Sequence, residues 1–265
     1  MNGPVPILMY HSIAQRPNDA TRELSVTPDA FAEQMALLHD QGFTPVGTAR
    51  LAASWREGGP LPERPVLVTF DDGYEGVHRH GLPVLAKHGF AATLFVSTGW
   101  IRGSYDTGGS LDTMLDWDQV RELAAEQVEI GGHSHTHPQM DQLAEDALRF
   151  EVLRCREIVA EELGARPASF AYPYGYSSRR VRDAVRAAGF AQSLAVGNAL
   201  ARRRQGPYAL QRVTVRRSTG IEEFERLVEG RAIALNFARD RALTKGYAMV
   251  RRARQVRRKA ISSRV

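Results

Sequence analysis

The chain has 265 residues, of which 43% are hydrophobic and 25% are charged, and its formal net charge is +5. This composition excludes disordered and fibrous proteins, and the length is sufficient for one large domain with a buried core. The single cysteine, Cys155, excludes an intramolecular disulfide framework. We expect Cys155 to be buried because it lies in an amphipathic stretch.

The positive charge is concentrated at the C-terminus. Residues 231–265 hold eleven Lys and Arg and one acid, a net charge of +10, so residues 1–230 have a net charge of −5. We therefore predict a mildly acidic body, residues 1–230, and a basic, helical tail, residues 231–265. A basic amphipathic helix could lie on an anionic membrane surface, dock on the acidic body, or bind nucleic acid, the least favoured of the three.

Membrane-spanning and export signals are not apparent in the sequence. No stretch near the N-terminus has the pattern of a signal peptide, and no run approaches 18 apolar residues. If residue 1 is the natural start, the sequence predicts a cytoplasmic protein, with the tail as a candidate for peripheral contact with the inner face of the membrane. The sequence leaves the oligomeric state open.

Signals for strands and helices alternate along the chain. The predicted strands are short and apolar and cover residues 5–10, 43–46, 66–70, 91–96, 128–130, 169–172, 191–196 and 210–215. The predicted helices have apolar residues at helical spacing and cover residues 28–42, 48–58, 74–88, 117–127, 143–164 and 178–188. This alternation predicts a parallel sheet, either doubly wound or closed into a barrel. Residues 12–25 and 97–116 are long loops, which we expect to lie over the top of the sheet and to shape a cleft.

Two adjacent acids follow the third predicted strand. Residues 66–70 form an apolar run, and Asp71, Asp72 and Gly73 come directly after it. In β/α architectures, active sites are built at the carboxyl ends of the strands. Adjacent carboxylates need a cation or hydrogen bonds nearby to remain ionised together, so we expect a positive group beside them. The alternative interpretation is an ordinary Asp-Gly turn.

Three histidines follow the fifth predicted strand. His133, His135 and His137 lie within residues 131–138 (Gly-Gly-His-Ser-His-Thr-His-Pro), and neutral imidazole is a common metal ligand. At alternate positions of an extended loop, the three imidazoles would project to one side. Two of them, together with one Asp, would form a three-ligand site with open coordination positions, as in catalytic zinc sites. The alternative is a loop of solvated histidines.

Three segments together resemble the motifs of the polysaccharide deacetylases, also called the NodB-homology family or carbohydrate esterase family 4. They are residues 69–73 (Thr-Phe-Asp-Asp-Gly), 133–138 (His-Ser-His-Thr-His-Pro) and 170–175 (Phe-Ala-Tyr-Pro-Tyr-Gly). The resemblance extends from about residue 6 to about residue 215. Residues 6–11 (Pro-Ile-Leu-Met-Tyr-His) further resemble the branch of exopolysaccharide and poly-N-acetylglucosamine deacetylases. The resemblance implies a distorted (β/α) barrel of the seven-stranded type, which would be the catalytic domain in residues 1–230.

The first two motifs carry implied roles. By the family pattern, Asp71 would be the base that deprotonates water, and Asp72, His133 and His137 would hold a divalent metal. Zn²⁺ is the favoured ion because two His and one Asp suit it, although related sites accept other divalent metals. His135 is then the spare imidazole, which could sit at the cleft or orient the loop.

The third motif departs from the family pattern at one position. The backbone N–H of Tyr174 would stabilise the oxyanion, and the rings of Tyr172 and Tyr174 would offer flat faces to a sugar. For Tyr172, packing inside the barrel is an equal alternative. Many family members have an arginine that holds the catalytic carboxylate where this chain has Ala171. Arg212, on the last predicted strand, is our candidate for that cation.

The residue that acts as general acid must lie elsewhere in this chain than in many family members. Those members use a histidine near the C-terminal end of the domain, but this chain has no histidine after His137. In a closed barrel the first strand lies beside the last, so His11 at the end of the first strand could occupy nearly the same space. We therefore assign His11 as general acid, with a strand-capping histidine as the alternative.

The resemblance implies a metal-dependent hydrolase that removes N-acetyl, or N-formyl, groups from an amino sugar. The substrate would be a polysaccharide, an oligosaccharide or a lipid-linked saccharide. A rival hypothesis is a catalytically silent saccharide-binding module on the same barrel. A second rival is a nucleic-acid-binding protein driven by the tail, which does not account for the Asp and His clusters.

Overall fold

The computed structural model describes residues 3–239 and 242. Its parallel sheet has the strand order β7-β6-β5-β4-β3-β1-β8, with β2 beside β3. The strands are β1 Ile7–Tyr10, β2 Thr44–Pro45, β3 Pro65–Phe70, β4 Ala92–Val96, β5 Val128–Gly132, β6 Ser169–Ala171, β7 Gln192–Leu194 and β8 Val213–Thr214. All of the pairings between named strands are parallel, as predicted. Strands β3 and β4 are buried on both faces, which explains why they read as continuous apolar runs.

Helices cover the outside of this sheet. They are α1 Pro28–Asp40, α2 Thr48–Glu57, α3 Leu82–His88, α4 Trp117–Ala125, α5 Glu145–Leu163, α6 Arg179–Ala187, α7 Ile221–Val228 and α8 Ile233–Asn236. The starts of α1 and α6 are capped, since the side chains of Thr27 and Ser178 accept backbone N–H groups there. Helix α7 was not predicted from the sequence. It is only eight residues long, and its Phe224, Leu227 and Val228 are buried.

One predicted helix begins later than expected. The sequence predicted helix from residue 74, but the helical segment starts with a π-helical turn at Val77–Gly81 and continues as α3. Residues 74 and 75 instead pair with the loop that follows β4, because Tyr74 forms a bridge with Met114 and the N–H of Glu75 donates to the carbonyl of Thr113. This pairing holds the segment after Asp72 across the top of the barrel.

The barrel closes through one short segment before β8. Leu210 forms a parallel bridge with Leu194 of β7, and three residues later Val213 pairs with Leu8 of β1. The two edges of the curled sheet are therefore joined by residues 210–214, and the fold is the distorted (β/α) barrel that the family resemblance implied. Arg212 lies within this seam and is fully buried.

The start of the tail packs on the body. Ile233 and Phe237 are buried in one cluster with Val213 and Leu227, so the core extends past residue 230. Most of the predicted helical tail lies outside the described residues. Within residues 3–239 and 242, no helix has the length and apolar character needed to cross a membrane.

Candidate active site

The carboxyl ends of the strands meet around one cavity of about 400 Å³. Asp71 and Asp72 follow β3, and His133 follows β5. His11 follows β1, and these side chains line the cavity together with His137. Parallel strands place their carboxyl ends at the same edge, so residues from distant parts of the sequence share one site.

Asp72, His133 and His137 form a compact group of metal-ligand atoms. Asp72 Oδ1 lies 3.3 Å from the Nε2 atoms of both histidines. Within the described part of the chain this is the one group whose ligand atoms all lie within 4.8 Å of one another. His133 Nδ1 lies 2.8 Å from the carbonyl oxygen of Ala171, which fixes the proton on Nδ1 and leaves Nε2 as a free lone pair.

The protonation states of Asp72 and His137 suit a cation. Burial raises the pKa of Asp72, but the contacts with His133 and His137 outweigh it and lower the pKa, so the carboxylate is charged. Burial lowers the pKa of His137 to about 4, so this imidazole is neutral near pH 7. Asp72 Oδ1 is buried and accepts no hydrogen bond within the described residues. A buried carboxylate oxygen between two imidazole nitrogens fits a divalent metal ion.

Left-handed backbone at non-glycine residues is concentrated here. Asp72, Ser134, His137 and Tyr174 have φ values of 75°, 66°, 56° and 58°. Such conformations cost about 1–3 kcal/mol each and persist only where surrounding contacts hold them. One such contact lies within residues 133–137, which we call the histidine loop. The N–H of His137 donates to Ser134 Oγ over 3.0 Å.

The histidine loop is therefore not extended, and the expectation that three imidazoles project to one side was wrong. The turn at Ser134 directs His135 away from the cavity. Its Nδ1 lies 2.9 Å from Thr98 Oγ1, and its ring packs edge-on against Phe150. Of the two roles considered for His135, the structure favours orienting the loop over sitting at the cleft. His135 is not part of the ligand group.

Asp71 is paired with Arg212 across the barrel interior. Nη1 and Nη2 of Arg212 donate to Oδ1 and Oδ2 of Asp71, each over 2.6 Å. Nη1 also donates to Thr69 Oγ1, and Nε donates to the carbonyl of Ala195. Burial raises the pKa of Asp71, but Arg212 and His133 together lower it below its ordinary value. Arg212 thus provides the cation beside the Asp71 carboxylate that the arginine missing at Ala171 would have provided.

His11 lies beside the two acids because of strand register. Tyr10 pairs with Phe70, and the N–H of Asp71 donates to the carbonyl of Tyr10 over 2.9 Å. His11 Nδ1 is buried and has no hydrogen-bond partner within the described residues. Burial lowers the pKa of His11 despite the opposing effect of Asp72 and Asp71.

The two tyrosines of the third motif occupy different environments. Tyr172 is fully buried, and its hydroxyl bonds to Ser193 Oγ and donates to the carbonyl of Tyr208. The buried ring and the bonded hydroxyl are those of a packing residue, although Tyr172 is also among the residues that line the cavity. The Tyr174 side chain is 53% exposed and stacks on Tyr176 at 5.9 Å between ring centroids.

The two long loops form one wall of the cavity, over the top of the barrel as expected. Asp112 Oδ2 accepts hydrogen bonds from the N–H of Asn18 and from Thr21 Oγ1, each over 2.9 Å. Thr21, Leu24 and Leu111 line the cavity from these loops. The sequence did not predict this link, because a contact between two distant loops has no local sequence signal.

Comparison with known proteins gives a consistent result. The model of the family described as "Polysaccharide deacetylase" matches residues 58–193. YxkH of Bacillus subtilis (strain 168) is 28% identical over 211 residues, which are 80% of this chain and 71% of that protein. The poly-beta-1,6-N-acetyl-D-glucosamine N-deacetylase of Escherichia coli (strain K12) is 26% identical over 258 residues, and the match covers 84% of this chain but 38% of that protein.

A solved structure shares the fold. The Streptococcus pyogenes deacetylase PplD, in complex with acetate, superimposes with a TM-score of 0.77 and 21% sequence identity. The match covers 86% of this chain and 99% of that chain. At this level of identity, the likeness supports the barrel assignment alone.

Proposed function

This chain belongs to the polysaccharide deacetylase family, and we propose that it is a metal-dependent hydrolase that removes N-acetyl groups from an amino sugar. One observation carries the proposal. A carboxylate held by an arginine, Asp71 with Arg212, lies in the same cavity as the ligand group Asp72, His133 and His137. Amide hydrolysis requires a base and an electrophile at one site, and this arrangement provides candidates for both.

In this proposal Asp72, His133 and His137 hold the ion. A divalent ion bound by them would polarise the acyl carbonyl and lower the pKa of water. Zn²⁺ suits two imidazoles and one carboxylate, and three protein ligands leave open coordination positions. The buried Oδ1 of Asp72, which lies between the two imidazole nitrogens and accepts no hydrogen bond in the described part of the chain, supports the assignment.

Asp71 accepts the proton of the attacking water in our mechanism. The pair with Arg212 keeps this carboxylate ionised, so that it is available as a base near neutral pH. As water adds to the carbonyl carbon, the backbone N–H of Tyr174, a residue that lines the cavity, would stabilise the oxyanion. His11 donates a proton to the amine nitrogen as the C–N bond breaks. Because burial lowers the pKa of His11, an imidazolium at this position would be a stronger acid than an exposed histidine.

We propose an N-acetylated saccharide or glycolipid as the substrate class, with N-formyl groups as the alternative acyl group. The relative from Escherichia coli is named for poly-N-acetylglucosamine, which supports an N-acetylhexosamine unit. A lipid-linked saccharide would follow if the basic tail contacts a membrane surface. The rival of a silent saccharide-binding module is less favoured, because every proposed ligand and the proposed base are present.

We further propose that the catalytic domain covers residues 1–230, with its packing continued by Ile233 and Phe237, and that the basic remainder acts separately. This division predicts that a chain ending after residue 239 folds and retains its activity in solution.

Removal of bound metal is expected to abolish acetate release from N-acetylglucosamine oligomers, and Zn²⁺ is expected to restore it. Because the folded chain alone assembles the three ligands, Zn²⁺ should also stabilise the protein, by about 2.7 kcal/mol at 100 times Kd. Acetate assays and thermal melts with and without chelator would measure both effects. The matched Asp72→Asn variant should show neither. Full activity in protein that elemental analysis finds metal-free would reject the metal site, whereas bound metal without acetate release would direct the search to lipid-linked sugars.

Tyr174 and Tyr172 are expected to respond differently to substitution. Tyr174→Ala should raise KM for oligomers about 2- to 10-fold, because an exposed aromatic contact contributes about 0.5–1.5 kcal/mol. Tyr172→Phe should leave KM unchanged and lower the free energy of unfolding by about 1–3 kcal/mol, because buried partners lose their hydrogen bond. Steady-state kinetics and urea denaturation of both variants test this pair. An increased KM for Tyr172→Phe alone would contradict the separation of roles.

A further inference from the structure

The histidine loop, residues 133–137, needs support from outside itself. His137 reaches the ligand group from a left-handed conformation, φ 56°, one residue after Thr136 and three after Ser134, φ 66°. A chain with two such residues relaxes toward ordinary conformations unless other groups hold it. Relaxation would move His137 Nε2 from its position 3.3 Å from Asp72 Oδ1.

Support on one side comes from the backbone after β4. The N–H of Thr98 donates to the carbonyl of Ser134, and the N–H of Gly99 donates to the carbonyl of His135 over 2.8 Å. These bonds satisfy the carbonyl groups of Ser134 and His135. The N–H groups of His135 and Thr136 need an acceptor from another part of the chain, because the N–H of His133 donates to Val96 and that of His137 to Ser134 Oγ.

Glu151 of α5 supplies that acceptor. Its Oε2 accepts hydrogen bonds from the N–H groups of His135 and Thr136, over 2.9 and 2.8 Å. Its Oε1 accepts a third, from Thr136 Oγ1 over 2.6 Å. Glu151 is 7% exposed, so water contributes little to its solvation. In the described part of the chain, no Lys or Arg lies within ion-pair distance of this carboxylate. Its charge is instead stabilised by the hydrogen-bond donors of the loop.

We infer that Glu151 is a positioning residue for the metal site, acting through the histidine loop. Hydrogen bonds to a buried carboxylate are stronger than those between neutral groups, and three of them converge on the two residues between Ser134 and His137. Glu151 therefore fixes the separation of His133 and His137, and with it the affinity for the ion. The inference rests on the proposed metal site and adds a residue of α5 that touches no ligand atom.

The affinity of full-length protein for Zn²⁺ tests this inference by competition with a chromogenic chelator. Glu151→Gln places an NH₂ group against loop donors, and we expect Zn²⁺ to bind more weakly, by up to about 10- to 100-fold, the range found when a residue that orients a metal ligand is lost. Thr136→Val removes only the bond to Oε1 and should weaken binding less. The absorption spectrum of the Co²⁺-loaded protein should change in Glu151→Gln, because the coordination geometry changes.

A matched control lies on the same helix. Glu161 also accepts hydrogen bonds, from Tyr105 and Arg154, but makes none to the loop, so Glu161→Gln should bind Zn²⁺ like the wild type. Wild-type Zn²⁺ affinity and an unchanged Co²⁺ spectrum in Glu151→Gln would overturn the inference, even if the metal-free variant melts earlier. If Glu151→Gln does not fold, unchanged affinity in Thr136→Val would overturn it. A wild type that binds no metal would instead reject the proposed function.

Discussion

Asp71→Asn is expected to reduce acetate release by about 10²- to 10⁴-fold, the usual contribution of a general base. Asparagine keeps the shape of the side chain but does not take up a proton from water. The ligand atoms belong to Asp72, His133 and His137, so the variant should still bind metal. Acetate release and metal content measured on the same preparation would separate the two effects.

The control for this prediction is the neighbouring acid. Asp72→Asn should lose both metal and activity, whereas Asp71→Asn should lose activity alone. Asp71→Asn also leaves the buried Arg212 without a counter-charge, so rates should be referred to folded protein, as measured by its thermal melt. A folded, metal-loaded Asp71→Asn protein with a wild-type rate would show that another group is the base.

The sequence predicted most of the site because its signals are local. Asp71 and Asp72 at a strand end, and a cluster of histidines after another strand, are visible in short segments. The parallel sheet follows from the alternation of strands and helices, and parallel strands bring these segments to one edge. The parallel sheet thus follows from the order of strands and helices, whereas the choice of Asp72, His133 and His137 as the ligand group came from the family resemblance.

The features that sequence reasoning missed depend on backbone conformation and on distant contacts. The left-handed φ of Ser134 directs His135 out of the cavity, and serine gives no sign of this in the sequence. Glu151 reads as one of several acids on an amphipathic helix, and its three bonds to the loop appear only when α5 packs against β5. The burial of Tyr172 likewise depends on Ser193 and Tyr208, which lie in other elements.

Arg212→Met is expected to lower the free energy of unfolding by about 3–5 kcal/mol, because it leaves the Asp71 carboxylate buried without its partner. Both oxygens of Asp71 accept from Arg212, and the guanidinium is fully buried. Arg212→Lys retains the charge but not the two parallel hydrogen bonds, so it should fall between the wild type and Arg212→Met. Urea denaturation of the three proteins gives this order.

The stability difference should depend on pH in a defined direction. In the wild type the pKa of Asp71 is lowered, so the contribution of the pair is present above the unfolded-state pKa, about 3.9, and is lost as the pH falls through the folded-state value. In Arg212→Met, burial is no longer opposed by the arginine, which raises the pKa of Asp71 and makes its ionisation destabilising. The difference between wild type and variant should therefore widen from pH 4 to pH 7.

A double variant distinguishes the ion pair from simple loss of packing. In Asp71→Asn with Arg212→Met, neither side chain carries a charge, so the protein avoids a buried, unpaired ion. The double variant should be destabilised by less than the sum of the two single effects, with a coupling of about 0.5–3 kcal/mol. Additive effects would mean that Asp71 and Arg212 contribute to stability separately. In that case the arginine at the barrel seam would contribute to closure of the sheet rather than to the charge of the proposed base.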